Sequence, residues 1–213
     1  MNEKFFDLKK EKQDRMINAA LKVFALNGYA HASTDDIVRE AGISKGLLFH
    51  YFVSKLGLYS FVYDYSVRYT MLELSTGVSK EEKNYYKLFS QMKMAQMQIM
   101  KTYPYMVLFL SKSRQENVSD ALLETEDKRS ILPEEYERII GQTDLSGFLP
   151  GVDAVWLNKS IEYTADGLLE EQFLNGSFQP EIYFDELKKY LDMLFQMTVM
   201  IAINLGLLLG LMS

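Results

Sequence analysis

Two histidines, His31 and His50, and no cysteine limit the chemistry open to this chain. Without thiols there is no disulfide framework, no cysteine nucleophile and no zinc-thiolate site. Two imidazoles are too few for a multi-histidine metal centre or an extended proton relay. No Ser, Cys or acid near His50 completes a triad at helical spacing, and the paired Glu-x-x-His motifs of a helical carboxylate-metal enzyme are absent. The expectation is a protein that is not an enzyme, with no catalytic residue, no cofactor and no metal.

The residue types between Ser33 and Lys55 suit a different chemistry, the recognition of phosphates and base edges. Ser33-Thr-Asp-Asp reads as the cap of a short helix whose Ile37, Val38 and Ala41 share one face before Gly42. Ser44 can cap a second short helix, Lys45 to Phe52, with Leu48, Tyr51 and Phe52 on one side and Lys45, Leu47, Phe49 and His50 presented outward. Two short helices about a glycine turn form a helix-turn-helix. Behind them, Ile17, Ala20, Leu21 and Phe24 give Lys9 to Asn27 an apolar helical stripe, and Gly28 stands where a glycine ends a helix. His31 falls in the connecting turn and reads as a solvated loop residue. Lys4, Lys9, Lys10 and Lys12 could follow a phosphate backbone as an N-terminal arm, although Glu3, Asp7 and Glu11 interleave with them.

These elements sit in a chain of 213 residues, 48% hydrophobic and 24% charged, with 12 Gly and 4 Pro, a balance that suits one or two globular domains. The net charge of −6 argues against a nucleic-acid partner only until it is divided: residues 1–57 hold nine Lys/Arg against seven Asp/Glu, and the acidic excess lies in residues 58–213. No apolar segment follows Met1 that would act as a secretory signal, so a cytoplasmic location is expected.

No repeat and no strand-like alternation appears, and helical spacing continues to the end. A fourth helix starting near Ser54-Lys55 carries Leu58, Phe61, Val62, Tyr65, Tyr69 and Leu72 out of the head, which sets domains at 1–57 and 58–213. Ser79-Lys80-Glu81-Glu82 resembles a capping box opening a Met-rich helix to about Thr102, and Pro104, Pro133, Pro150 and Pro180 mark helix starts or the loops before them. A long helix from about Gly151 to Asn175 turns Leu157, Ile161, Ala165, Leu168 and Leu169 inward. Residues 193–213 hold no charge over 21 positions, enough to span a bilayer. Gln196, Thr198 and Asn204, with the amphipathic run from Tyr183 to Asp192 that leads into them, favour a helix buried between two copies of the chain.

At Thr34, Ile37, Ala41-Gly42, Ser44-x-Gly46 and the aromatic run ending in Phe52-x-x-Lys55, the chain resembles the TetR family of bacterial transcriptional regulators. Ala19 to Phe24 and Asn27-Gly28-Tyr29 resemble that family's first helix, so the likeness covers about residues 10–57. It implies an all-α protein: an N-terminal three-helix DNA-binding domain, and a C-terminal helical domain that binds an effector and dimerises. The implied function is a one-component, ligand-responsive regulator, expected to be a repressor, that sits as a homodimer on a palindromic operator in double-stranded DNA and is released by a small-molecule effector. Thr34, His50, Tyr51 and Lys55 would then contact phosphates, while Ser44, Lys45, Gly46, Leu47 and Phe49 would face the groove. Phe49 departs from the family's usual tyrosine and lacks the hydroxyl that reaches a phosphate, and Leu47 replaces a smaller, often polar residue.

Family pockets share no motif, so the effector site is read from residue type alone. Met97, Met100, Tyr103, Met106, Phe109 and Trp156 could line a roomy apolar site for a hydrophobic small molecule, or could be ordinary core. Glu162, Asp166, Glu170 and Glu171 on one late helix could select a cation, but an exposed charged face is the commoner explanation. Two other functions compete: a helical ligand-binding protein whose head no longer touches DNA, and a membrane-tethered sensor anchored by 193–213.

Overall fold

The structure is a computed structural model and describes residues 3–199. Among the described residues all regular structure is helical, apart from two isolated bridges, Asn84 with Asp144 and Phe148 with Val199. A 3-10 turn at Glu3–Asp7 leads into α1 (Lys10–His31), followed by α2 (Thr34–Ala41), α3 (Lys45–Phe52) and α4 (Lys55–Gly77). The body continues with α5 (Tyr85–Thr102), α6 (Met106–Ser113), α7 (Ser119–Arg129), α8 (Ile131–Gly141), α9 (Ala154–Leu174) and α10 (Pro180–Thr198).

Local chemistry sets the boundaries of the first four helices. Gly28 takes φ 66 and ψ 174, so the regular turns of α1 stop there although the helix resumes to His31. The hydroxyl oxygens of Ser33, Ser44 and Ser54 accept from Asp35 N, Leu47 N and Gly57 N, which caps α2, α3 and α4 in turn. Gly42 ends α2 at φ 62. Gly57 is required by close approach, since a Cβ there would lie 2.3 Å from the Phe52 carbonyl oxygen.

The Ser79 capping box does not form. Ser79 Oγ accepts from Glu81 N within a loop, and α5 begins only at Tyr85, where Asn84 Oδ1 accepts from Lys87 N. The intervening carboxylate of Glu82 takes the Lys83 and Asn84 amides, which holds the chain in a turn and moves the cap to Asn84. The prolines lie where expected: Pro104 and Pro150 in the loops before α6 and α9, Pro133 in the first turn of α8, Pro180 opening α10. The predicted α9 stripe from Leu157 to Leu169 is buried.

One apolar cluster extends from the head into the body. Phe24 of α1, Tyr59 of α4 and Phe109 of α6 meet with ring centroids 5.1 to 6.3 Å apart, and the same cluster reaches Leu187 and Leu191 of α10. The 3-10 turn joins it through Phe5, whose ring is wholly buried against Phe52 (5.1 Å), Phe61 (5.2 Å) and Tyr51 (5.7 Å). The N-terminal segment is thus anchored to the end of α3 by an aromatic plug. Of the uncharged run 193–213, Met193, Phe195 and Met197 are exposed on α10, no described helix is long and apolar enough to cross a membrane, and residues 200–213 lie outside the described residues.

Phe5→Ala should destabilise the chain by about 3 kcal/mol, the usual cost of emptying a buried aromatic site. Thermal and urea unfolding would read it, and an unchanged midpoint would show that the plug does not hold.

Candidate nucleic-acid interface

Ile37 and Ala41 of α2, with Leu48 and Phe52 of α3, are buried and fix the angle of the two helices against α1 and α4. That packing leaves Ser44, Lys45, Gly46 and His50 exposed along the outer side of α3, with Leu47 and Phe49 half-buried beside them. A Cβ at Gly46 would meet nothing within 4 Å, so this end of α3 faces open space. Thr34 opens α2, half-buried, on the neighbouring edge. Lys45 Nζ donates to Asp35 Oδ1 at 2.8 Å; both groups are half or more exposed, so the pair contributes little and can open toward another acceptor.

Two of the expected contact residues point elsewhere. Tyr51 is only 7% exposed, its ring set edge-on to Phe5 and at 4.9 Å from the imidazole of His50, so it supports α3 from below. Lys55 is drawn inward: Nζ donates to the carbonyl oxygens of Tyr29 (2.8 Å), Ala32 (3.3 Å) and Ala30 (3.4 Å) and lies 4.4 Å from the centre of the Tyr29 ring. It gathers carbonyls that the glycine-broken end of α1 leaves without helical partners.

From the other side, Tyr29 N donates to Glu116 Oε2 in the loop between α6 and α7 at 3.1 Å. The turn that leads into α2 is therefore held by the start of α4 and by the body together. Sequence reasoning missed both contacts. The only local signal was Gly28-Tyr29 followed by a lysine at the start of the fourth helix. Lys22 adds a link within the head, donating to Glu40 at 2.7 Å from α1 to α2.

The six residues read as an apolar effector pocket are divided between the core and the surface. Met100, Tyr103, Met106 and Phe109 are fully buried core, and Met97 is nearly so. The Tyr103 hydroxyl donates to Asp14 Oδ1 at 2.5 Å, accepts from Lys10 Nζ at 2.9 Å and lies 2.6 Å from the Tyr65 hydroxyl, so this tyrosine ties α5 to α1 and α4. Burial and those neighbours hold its pKa well above the usual tyrosine value. Trp156 is 66% exposed on α9, with Lys159 Nζ 4.9 Å above its ring, because α9 turns Leu157 and Ile161 inward instead.

Residues 16–60 match the model of the family described as bacterial regulatory proteins, tetR family. An uncharacterized HTH-type transcriptional regulator of Bacillus subtilis (strain 168), YuxN, is 42% identical over 59 residues, 26% of this chain and 20% of that protein, so the match spans a fifth of that relative's length. Two solved structures share the fold: a TetR family transcriptional regulator from Chloroflexus aurantiacus J-10-FL and a TetR-like transcriptional regulator from Rhodococcus sp. RHA1. Their TM-scores are 0.55 and 0.53 at 18% and 16% identity, covering 94% and 86% of this chain and 99% and 96% of theirs. Residues 16–60 thus carry the N-terminal segment of the tetR family of bacterial regulatory proteins, and the all-helical body behind them shares the fold of solved regulators of that type.

Proposed function

We propose that the chain is a one-component transcriptional repressor that binds a palindromic operator as a homodimer and leaves it when a small molecule binds the body. The observation that carries this reading is the outer face of α3: Ser44, Lys45, Gly46, Leu47 and Phe49 stand on a helix whose opposite face is locked into the core. Lys45 is the candidate for guanine O6 and N7, Leu47 for a thymine methyl, and Gly46 for close approach of the backbone. Thr34 and His50 flank this face as phosphate contacts, and Tyr51 and Lys55 position it. Residues 1–57 act as the DNA-binding unit and 58–213 as the unit that dimerises and senses.

Dimerisation is supported by apolar side chains on the outer faces of α9 and α10: Trp156 and Tyr163 on one, Ile182, Tyr190, Met193 and Met197 on the other. A stripe of this kind at helical spacing is suited to cover its equivalent on a second copy. Two recognition helices would then meet successive major grooves, about 34–36 Å apart or a multiple of that. An effector releases DNA if it binds better to a conformer with the wrong spacing between them.

Selection of bound fragments from a random duplex library at two salt concentrations should return a palindromic site with steep salt dependence; no enriched sequence would overturn the reading. Lys45→Ala should relax sequence choice at one position per half-site, at a cost of about 1–3 kcal/mol on the preferred site. Lys55→Ala should lower the melting temperature and weaken binding to every sequence with the salt slope unchanged, whereas a slope smaller by about one would show a direct phosphate contact. Tyr190→Asp with Met193→Asp should give monomers in sedimentation velocity and abolish operator binding at micromolar protein. A dimer that survives both changes would place the interface elsewhere.

A further inference from the structure

Along its inward edge α9 carries four polar side chains one turn apart: Asn158, Glu162, Asp166 and Glu170. Three have partners on neighbouring helices. Asn158 Oδ1 accepts from the Tyr85 hydroxyl of α5, Asp166 pairs with Arg114 at the end of α6, and Glu170 pairs with Lys112 of α6 at 2.7 Å. Glu162, half-buried between the first and second of these links, makes no hydrogen bond and no ion pair among the described residues.

The Tyr85–Asn158 contact sets α9 beside α5, and two turns further along α5 stands Lys93. Lys93 is 9% exposed, a depth at which an ammonium needs partners for all its protons. It has one, Gln96 Oε1 at 3.2 Å, with the Phe89 ring 5.5 Å below. Gln96 Nε2 donates in turn to the hydroxyl of Tyr136 on α8 at 3.0 Å, which leaves the phenol proton for another acceptor. Met97, one turn beyond Lys93, is buried yet lies outside the contiguous apolar cluster. Desolvation pushes the Lys93 pKa below the usual lysine value, against the opposing pull of Asp166 and Glu162.

We propose that the effector binds among Lys93 of α5, Tyr136 of α8 and Glu162 of α9, and that it is a small zwitterion of the amino-acid type, its carboxylate on Lys93 and Tyr136 and its ammonium on Glu162. The inference rests on reading the body as an effector domain. The local charges of Lys93 and Arg114 balance those of Glu162 and Asp166, and only a ligand of zero net charge keeps that balance. A simple carboxylate would pair Lys93 and leave Glu162 facing a second anion. A simple amine would leave Lys93 as it stands.

The test uses the full chain and each of the common L-amino acids, with the matching deaminated acids and decarboxylated amines, in thermal-shift and calorimetric titrations. At least one amino acid should bind and raise the melting temperature, and its two one-charge analogues should bind at least tenfold more weakly. Lys93→Met and Glu162→Gln should each lose at least tenfold in affinity for it. In the absence of ligand, Lys93→Met should raise the melting temperature, because it removes an unsatisfied charge from the interior. A one-charge analogue that binds equally well, or a Lys93→Met protein that melts lower, overturns the proposal. If no amino acid binds while the operator selection succeeds, this site falls and the regulator reading stands; amino-acid binding with no enriched DNA gives the reverse.

Discussion

α1 is buried on two sides at once, and the remainder of the architecture depends on that. One side packs on α2 and carries the helix-turn-helix, and another packs on α6 and the body, with Phe24 at the point where head and body rings meet. Polar contacts repeat the arrangement at both ends of α1, through Asp14 and Lys10 to Tyr103 and through Tyr29 to Glu116 and Lys55. The head is therefore coupled to the body through a shared core as well as through α4. Such cores switch between discrete packings rather than deforming smoothly, which is the property a ligand-driven change of state requires.

The features that sequence made legible are those written within a few residues of one another. Ser33, Ser44 and Ser54 cap helices because a hydroxyl reaches an amide two or three residues on, and Gly28 and Gly42 stop them because only a residue without Cβ adopts positive φ easily. The interior stripe of α9 follows from the helical period alone. Lys55 and Glu116 were not legible, since their partners lie 26 and 87 residues away in the chain. Trp156 shows the related limit: periodicity tells which residues share a face and is silent on which face the body covers. Met100, Tyr103, Met106 and Phe109 have side chains suited to a pocket, but composition does not distinguish a cavity lining from a filled core.

The charged residues of α9 illustrate the same point in the other direction. Acids spaced one turn apart look like a solvated face, and the neighbours that make them an inward ladder, Arg114, Lys112 and Tyr85, come from α6 and α5. Only in three dimensions does Glu162 stand out as the member of that ladder with no hydrogen bond or ion pair from its side chain among the described residues. A buried cation and a half-buried anion left without ionic partners are costly to a folded body.

The joint between α3 and α4 has a mechanical consequence. It is two residues long: Val53 holds φ 66, which a β-branched residue rarely adopts, and Ser54 N donates to the Phe52 carbonyl at 2.7 Å. With Gly57 pressed against the same carbonyl, no slack separates the two helices. α4 has 23 residues and is therefore about 34 Å long, so a tilt of about 5° at its far end carries α3 by about 3 Å. That displacement approaches the rise of one base pair, about 3.4 Å, and in the proposed dimer on DNA it would occur in each protomer. In that proposed complex, a small angular change in the body would arrive at the DNA as a register error of nearly one step, without any change in the shape of the head.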